Sequence, residues 1–525
     1  MAPGTLADRL SDSRHLRRAH RPVALIALSG LVAAILALPL VFLLIEARSA
    51  GDLAQLIFRP LTRSLLWNTI RLTVAVTVAC AVIGTAAAWC VERTDLPGRR
   101  VWAVLVVVPL AIPDFVVSFG WNSLWTWVQG FRGAVIVMTL AVYPLVYLPV
   151  AASLRGADPG QEEVARSLGS GPLRTFVRIT LGQAKGAILG GCLLVALVLL
   201  AEYGAFEILG YQTFTTEIFS EFNGLNSFAA MCALSLVLVL LSLIVLAGEG
   251  LLRGRGRMSR PGPLTQRPAP RQPLGRARWP VLALFALLVL LALGVPVGSA
   301  VYWMADGRPP ALIGGANVSL LTAAGHTALY SGSAGVLATV MALPVALLAV
   351  RHTGRVRHFL ERGTYLVLAM PGVVIAFSLY YFTERYAAGF ADGTAPMLVL
   401  CYAIMFFPLA LVGVKASLAR APVSLDEVAR SLGRRRLAVL VRVTLRLAGP
   451  GLVAAFCLVF LSAVTELTAT LLLIPTSTQT LATQFWAYES NLSYSQAAPF
   501  ALVMIIVAAA PSYALGRFFN RPARG

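Results

Sequence analysis

Three acids sit where acids are costly. Asp114, Glu202 and Glu466 lie within or at the edge of long apolar stretches, where an ionisable side chain costs roughly 2.5–3.5 kcal/mol to insert into a bilayer. Glu202 and Glu466 occupy matching places in two similar segments, LAEYGAFEIL from Leu200 and VTELTATLLL from Val464. A symmetric carboxylate pair facing a pathway would attract a hard cation that takes oxygen ligands. The alternative is a buried hydrogen bond or a gate contact, and the pair alone does not make a metal site. Asp114 follows Pro113 and matches Gly372 in the later segment, so it reads as the group that satisfies a broken helix turn.

Two further acids, Glu163 and Glu427, belong to a polar segment that occurs twice: QEEVARSLGSGPLRTFVRITLGQAKGAI from Gln161 and LDEVARSLGRRRLAVLVRVTLRLAGPGL from Leu425. Other chemistry is poorly provided for. The chain has no GxxxxGK[ST] loop to cradle phosphate, no HExxH and no GxSxG, so ATP binding by that route, zinc hydrolysis and serine acyl transfer have no motif. The five histidines lie in loops or near span ends, and the six cysteines fall in apolar runs without metal-ligand spacing. They read as packing residues.

The elements that must position these residues are membrane helices. Apolar residues make up 58% of the 525 and charged ones only 13%, against roughly 25% charged in soluble chains. The apolar residues gather into runs long enough to cross a bilayer as helix. They fall near 22–46, 69–91, 101–121, 133–154, 184–203 and 227–248, then 280–304, 328–350, 364–382, 395–416, 449–473 and 497–516. The net charge of +20 comes almost wholly from arginine in short connecting loops. That is the pattern of the positive-inside rule rather than of nucleic-acid binding. It places the tail 1–21, the loops around 93–100, 155–178 and 351–357, and the tail 518–525 in the cytoplasm. The segments around 205–226 and 472–496 hold no lysine or arginine and fall outside, where their Tyr, Trp and Glu suit docking of an extracytoplasmic protein.

The chain is therefore expected to be an all-α polytopic membrane protein of two homologous six-helix halves, 22–250 and 280–517. An Arg-, Pro- and Gly-rich linker at 251–279, read as flexible and cytoplasmic, joins them. TIRLTVAVTV from Thr69 matches TALYSGSAGV from Thr327, and AIPDFVVSFGW from Ala111 matches AMPGVVIAFSL from Ala369. An even number of spans separates the copies, so the halves share one orientation and any pathway runs between them. Each polar repeat lies between the fourth and fifth spans of its half. Gly169 and Gly433 follow a short amphipathic segment and supply the left-handed residue that closes a helix; Pro172 starts the next. A surface helix present on both halves suits a two-fold partner below the membrane.

With Glu163-Val164-Ala165, Gly169 and Ile179-Thr180-Leu181-Gly182 in one copy, and Glu427-Val428-Ala429, Gly433 and Val443-Thr444-Leu445-Arg446 in the other, the segment resembles the EAA loop of ABC-importer permeases. Val replaces the first Ala of that pattern, and Gly182 or Arg446 replaces its terminal Pro. The resemblance extends over roughly 65–250 and 320–517. Within the family, GYQTFTTEIF from Gly210 and TELTATLLLIPTSTQTLATQFW from Thr465 are most similar to the fused ferric-iron importers. Glu202-Tyr203-Gly204 is similar to an element of sulfate and molybdate permeases. The resemblance implies a type I permease fold in a bacterial inner membrane. It makes the loops 161–182 and 425–446 coupling helices, with Glu163, Ala165, Gly169, Glu427, Ala429 and Gly433 as coupling residues. Glu202, Tyr203, Thr465, Glu466 and Asp114 become pathway or gate candidates. The implied partners are two ATPase subunits, which would bind the ATP and magnesium that this chain does not, and an extracytoplasmic binding protein. Ferric iron is the expected cargo. The rival readings are a small organic solute such as a polyamine, thiamine or an aminophosphonate, and an ion-coupled secondary transporter.

Overall fold

A computed structural model of the chain describes residues 23–49, 53–156, 159–224, 228–253, 271–306, 320–352, 354–386, 395–475 and 478–519. The N-terminal tail 1–21, residues 254–270 of the linker and residues 520–525 of the C-terminal tail lie outside them.

The apolar runs form helices where they were expected. Among the described residues, eight helices are long and apolar enough to cross a bilayer, among them Pro60–Arg93, Phe176–Ala201, Leu320–Arg351 and Leu437–Val464. Three further pairs of apolar helices are sharply bent at a short break: Arg99–Ala111 with Asp114–Asn122, by 92°; Arg355–Ala369 with Gly372–Tyr386, by 102°; and Ala395–Met405 with Phe407–Arg420, by 58°. The last apolar run is the helix Tyr494–Phe519.

The two sharpest bends are the same feature repeated. Pro113 and Pro371 cannot donate to the preceding turn, and each forces the residue before it out of the helical region. Ile112 (φ −90°, ψ 127°) and Met370 (φ −106°, ψ 110°) are accordingly extended. Asp114 is the first residue of the helix after the break.

The halves interlock. Val32, Leu36 and Leu43 of the first helix, Val23–Ser49, share a core with Tyr330, Ala338, Val345 and Phe377 of the second half. Glu46 of the same helix is buried and paired at 3.1 Å with Arg385. The reciprocal contact joins the helix pair Gly275–Asp306 to the first half. Phe285 lies edge-on to Trp102, with ring centres 5.7 Å apart, and Gly120 approaches Pro296 so closely that a Cβ there would stand 2.7 Å from its Cα. Each half thus lends its leading helix to the other, and the sequence halves are not separate bodies in space.

The linker is more ordered at its end than its composition suggests. Gln272 donates its N–H to the Arg93 carbonyl (2.9 Å) and accepts from the Asp95 N–H (3.2 Å), while the Leu274 N–H donates to Asp95 Oδ1 (2.7 Å). Three hydrogen bonds satisfy a short run of exposed backbone, so the stretch from 271 is pinned to the loop that follows Pro60–Arg93.

Candidate functional site

The two polar repeats lie at one end of the bundle, the arginine-rich end, and fold alike. Pro159–Ser167 and Val423–Ser431 are short amphipathic helices. Gly169 (φ +81°) and Gly433 (φ +79°) end them in the left-handed region. There Ser170 N–H reaches Ala165 O at 3.0 Å and Arg434 N–H reaches Ala429 O at 3.2 Å. A Cβ would meet nothing within 4 Å at either glycine, so the requirement is for backbone conformation and not for space. A π-helical turn follows in each copy, Phe176–Thr180 and Leu440–Thr444, and runs into the next span.

On these helices Glu163 and Glu427 are exposed, as are Val164, Leu168, Val428 and Leu432. Ala165 is buried and Ala429 half-buried, on the side that faces the bundle. The acids one residue earlier escaped the sequence reading. Glu162 is 4% exposed, accepts a hydrogen bond from Thr180 Oγ1 at 2.9 Å and stands 3.5 Å from Arg93 Nη2. Asp426 accepts from Thr444 Oγ1 at 2.9 Å and pairs with Arg351 Nη2 at 3.2 Å. Arg93 and Arg351 are the last residues of the two long helices Pro60–Arg93 and Leu320–Arg351. The signal was present in the sequence as an acid, an arginine and a threonine duplicated at matching positions. The identical Glu163 and Glu427 beside them masked it.

The acids at membrane depth are also matched. Glu202 follows the helix Leu181–Ala201 and Glu466 follows Leu445–Val464. Glu202 Oε1 accepts from the Ala205 N–H at 2.8 Å, and Glu466 Oε1 accepts from the Ala469 N–H at 3.0 Å. Each carboxylate therefore satisfies a free amide at the start of a short helix, Gly204–Ile208 or Thr468–Leu473, as an N-terminal capping group does. Thr470 Oγ1 donates to the Glu466 carbonyl at 2.7 Å. Phe115 and Leu467, the residues that follow Asp114 and Glu466, meet beside Gly204, two residues beyond Glu202. Gly372, which matches Asp114, leaves room for Met405: a Cβ there would stand 2.4 Å from Met405 Cε, with Glu466 Oε1 at an ordinary contact distance of 3.6 Å. Among the described residues no three His, Cys, Asp or Glu side chains converge to hold a metal ion.

Tyr203 is buried between halves, its ring 4.2 Å from Phe219 and 5.6 Å from Trp486. Thr465 turns its hydroxyl back to Leu461 O (3.3 Å) and Ser462 O (3.1 Å). It stands at the end of the helix Leu445–Val464, one residue before Glu466. Gly204 lies where the halves meet. A Cβ there would come within 2.6 Å of Leu467 Cδ2 and 3.0 Å of Phe115 Cβ.

At the opposite end, the helices Phe214–Asn223 and Leu481–Ser490 each begin with a threonine capping box, Thr213 with Thr216 and Thr480 with Thr483. Thr69 accepts from the Phe214 N–H (3.4 Å) and Thr327 from the Leu481 N–H (2.9 Å), so both helices hang from the long helices in the same way. Burial pushes the Glu489 carboxyl up to about 7, with the charge of Glu207 adding to it. Glu217 is also raised, by burial and by Glu221.

The duplication seen in the loops, bends and caps has a counterpart in known proteins. The family described as "Binding-protein-dependent transport system inner membrane component" matches residues 81–255 and again 334–523. The chain belongs to this family. It is a multi-pass membrane protein and a permease of the ABC-importer class, with the permease unit present twice. Among its relatives, the Fe(3+)-transport system permease protein FbpB 2 of Haemophilus influenzae is 35% identical over 92% of this chain and 96% of its own length. The ferric transport system permease protein FbpB of Actinobacillus pleuropneumoniae is 22% identical over 84% and 69%. The molybdate/tungstate transport system permease protein WtpB of Pyrococcus furiosus is 27% identical, and 98% of its length covers 46% of this chain. A permease protein of about half this size thus exists as a separate chain.

Proposed function

We propose that this permease carries ferric iron across the inner membrane as the channel-forming subunit of an ATP-driven importer, with both termini and both EAA-like loops in the cytoplasm. The observation that carries the cargo is the 35% identity to an Fe(3+) permease, spread over nearly the full length of both proteins. Support for the orientation comes from the loops around 93–100, 155–178 and 351–357, rich in arginine, against the segments 205–226 and 472–496, which hold Glu207, Glu217, Glu221 and Glu489 and no lysine or arginine of their own, although Arg71 reaches Tyr211 from the neighbouring long helix.

Two ATPase subunits would seat on the exposed faces of Pro159–Ser167 and Val423–Ser431, with Glu163 and Glu427 as docking carboxylates and Gly169 and Gly433 shaping the turn. ATP and magnesium would belong to those subunits. A binding protein would deliver iron at the end opposite the two loops, near Phe214–Asn223 and Leu481–Ser490. Closure of the ATPases would push both loops, and the interlocked halves would rock about Gly204 and the Glu202–Glu466–Asp114 region between outward- and inward-facing states. The carboxylates would hold their helix starts through one oxygen each and add negative charge to the pathway.

The test is uptake into proteoliposomes containing the permease, its ATPase subunits and the binding protein. Radiolabelled ferric iron should enter only with ATP inside the ATPase-bearing compartment, and vanadate should stop it. Uptake by the chain alone that collapses with an ionophore would contradict the proposal, and transport of an organic solute in place of iron would contradict the cargo.

A further inference from the structure

Below the two exposed glutamates lies a pair of buried charge clusters that the docking reading does not use. We infer that Arg93–Glu162–Thr180 and Arg351–Asp426–Thr444 are the joints through which displacement of each loop helix reaches the membrane helices. Their residues are positioning residues for coupling, distinct from those that touch the ATPase.

The geometry ties three elements at one point in each half. The acid belongs to the loop helix, the arginine ends the long helix Pro60–Arg93 or Leu320–Arg351, and the threonine closes the π-helical turn that leads into the next span. In the first half the ion-pair side chains are 3% and 6% exposed, and in the second 12% and 14%. Arg351 also donates to the Ala421 carbonyl at 3.2 Å, at the end of the preceding span, so that segment joins the same point. Glu162 and Asp426 each hold a threonine hydroxyl by a hydrogen bond, and the arginine is held to the acid as a buried ion pair, at 3.5 Å for Arg93 and 3.2 Å for Arg351. Separating such a pair leaves a buried charge without compensation, which makes the joint stiff. An exposed salt bridge would yield under load; a buried one moves as a unit.

The first joint carries one more element. The Arg93 carbonyl accepts the Gln272 N–H, so the start of the second half's leading helix pair is fixed to the same residue. That pair packs on the first half. Motion of the first loop helix is thereby delivered to both halves.

The inference rests on the loops being coupling helices, and the experiment separates the two ideas. The complete transporter, permease with ATPase subunits and binding protein, is reconstituted as Glu162→Gln with Asp426→Asn. ATPase subunits should still co-purify and hydrolyse ATP, while iron transported per ATP falls at least about fivefold, the scale of a lost coupling between sites. Thr180→Val with Thr444→Val removes one hydrogen bond from each joint and keeps both ion pairs; it should lower the same ratio by less, and it decides the matter if the acid variant does not fold into the membrane. Spin labels on Leu168 and Leu432 should still move when ATP and vanadate are added, whereas labels near the ends of the two long helices should not follow. Wild-type stoichiometry in both variants would overturn the inference, as would loss of ATPase binding, since that would make the acids part of the docking surface. Glu163→Ala with Glu427→Ala serves as the control. If that variant binds and stimulates ATPase normally, the docking role fails while the joints stand on their own result.

Discussion

The turn glycines allow the sharpest perturbation, because only their backbone conformation is at stake. Gly169 and Gly433 sit at φ +81° and +79°, and a Cβ at either would meet nothing within 4 Å. Alanine therefore adds no clash and removes no contact. It brings only the penalty of about 1–2 kcal/mol for placing an L side chain in the left-handed region. That penalty shifts the balance between closed and frayed turn by about five- to thirtyfold. The last turn of each loop helix, held by Ala165 O and Ala429 O, should loosen while the membrane core, far from the turn, keeps its stability. Asparagine tolerates the left-handed region, so Gly169→Asn with Gly433→Asn should stay close to wild type. Gly169→Val with Gly433→Val should be the most damaging. The assay is binding-protein-stimulated ATP hydrolysis and iron uptake in proteoliposomes, with thermal unfolding in detergent as the control. Equal activity for the alanine, asparagine and valine variants would refute the conformational argument. So would a large drop in the unfolding temperature for alanine.

Further outcomes follow from the other sites. Glu202→Gln with Glu466→Gln keeps an oxygen for the Ala205 and Ala469 amides, so the unfolding temperature should hold while iron uptake falls; alanine at both should lose about 1 kcal/mol per cap as well. Full uptake by the glutamine variant would leave capping as the sole role of these acids. Gly204→Val drives a side chain into Leu467 and Phe115 and should cost about 1–3 kcal/mol by overpacking, read as a lower unfolding temperature; an unchanged value would mean that the halves do not meet there. Glu489 binds its proton more tightly when folded, with burial and Glu207 raising it from 4.5 to about 7. Stability should therefore fall as pH rises through that window and stay lower above it, by at most about 3 kcal/mol. Glu489→Gln should match wild type near pH 5 and unfold at a higher temperature above pH 7; parallel pH profiles would contradict the assignment.

Much of this was legible because membrane helices must be apolar throughout and because the chain repeats itself. The runs at 69–91 and 328–350 lie within Pro60–Arg93 and Leu320–Arg351. Pro113 foretold a broken turn at Asp114 for a reason that holds in any helix. Other features leave no such trace. Apolarity says that Val23–Ser49 is buried in lipid or protein, but not that it leans on the second half, since the residues that face Phe377 and those that face lipid are of the same kind. The capping role of Glu202 and Glu466 depends on where the next helix starts, which a sequence pattern gives only to within a few residues. Glu162 and Asp426 were readable in principle, yet two adjacent acids cannot be divided into one exposed and one buried until the helix face is fixed. The pinned Gln272 lies in a stretch whose composition is that of a free linker, and only its three hydrogen bonds reveal otherwise.

The central claim is that this chain offers two cytoplasmic loops to an ATPase it does not contain. The most direct test places a single cysteine at Val164 or at Val428, both well exposed, and labels it with a membrane-impermeant maleimide in vesicles of each orientation. Both positions should react only in inside-out vesicles, and both should be shielded when the ATPase subunits are bound. Labelling from the outer face at either position, or equal reactivity with and without the ATPase, would contradict the account.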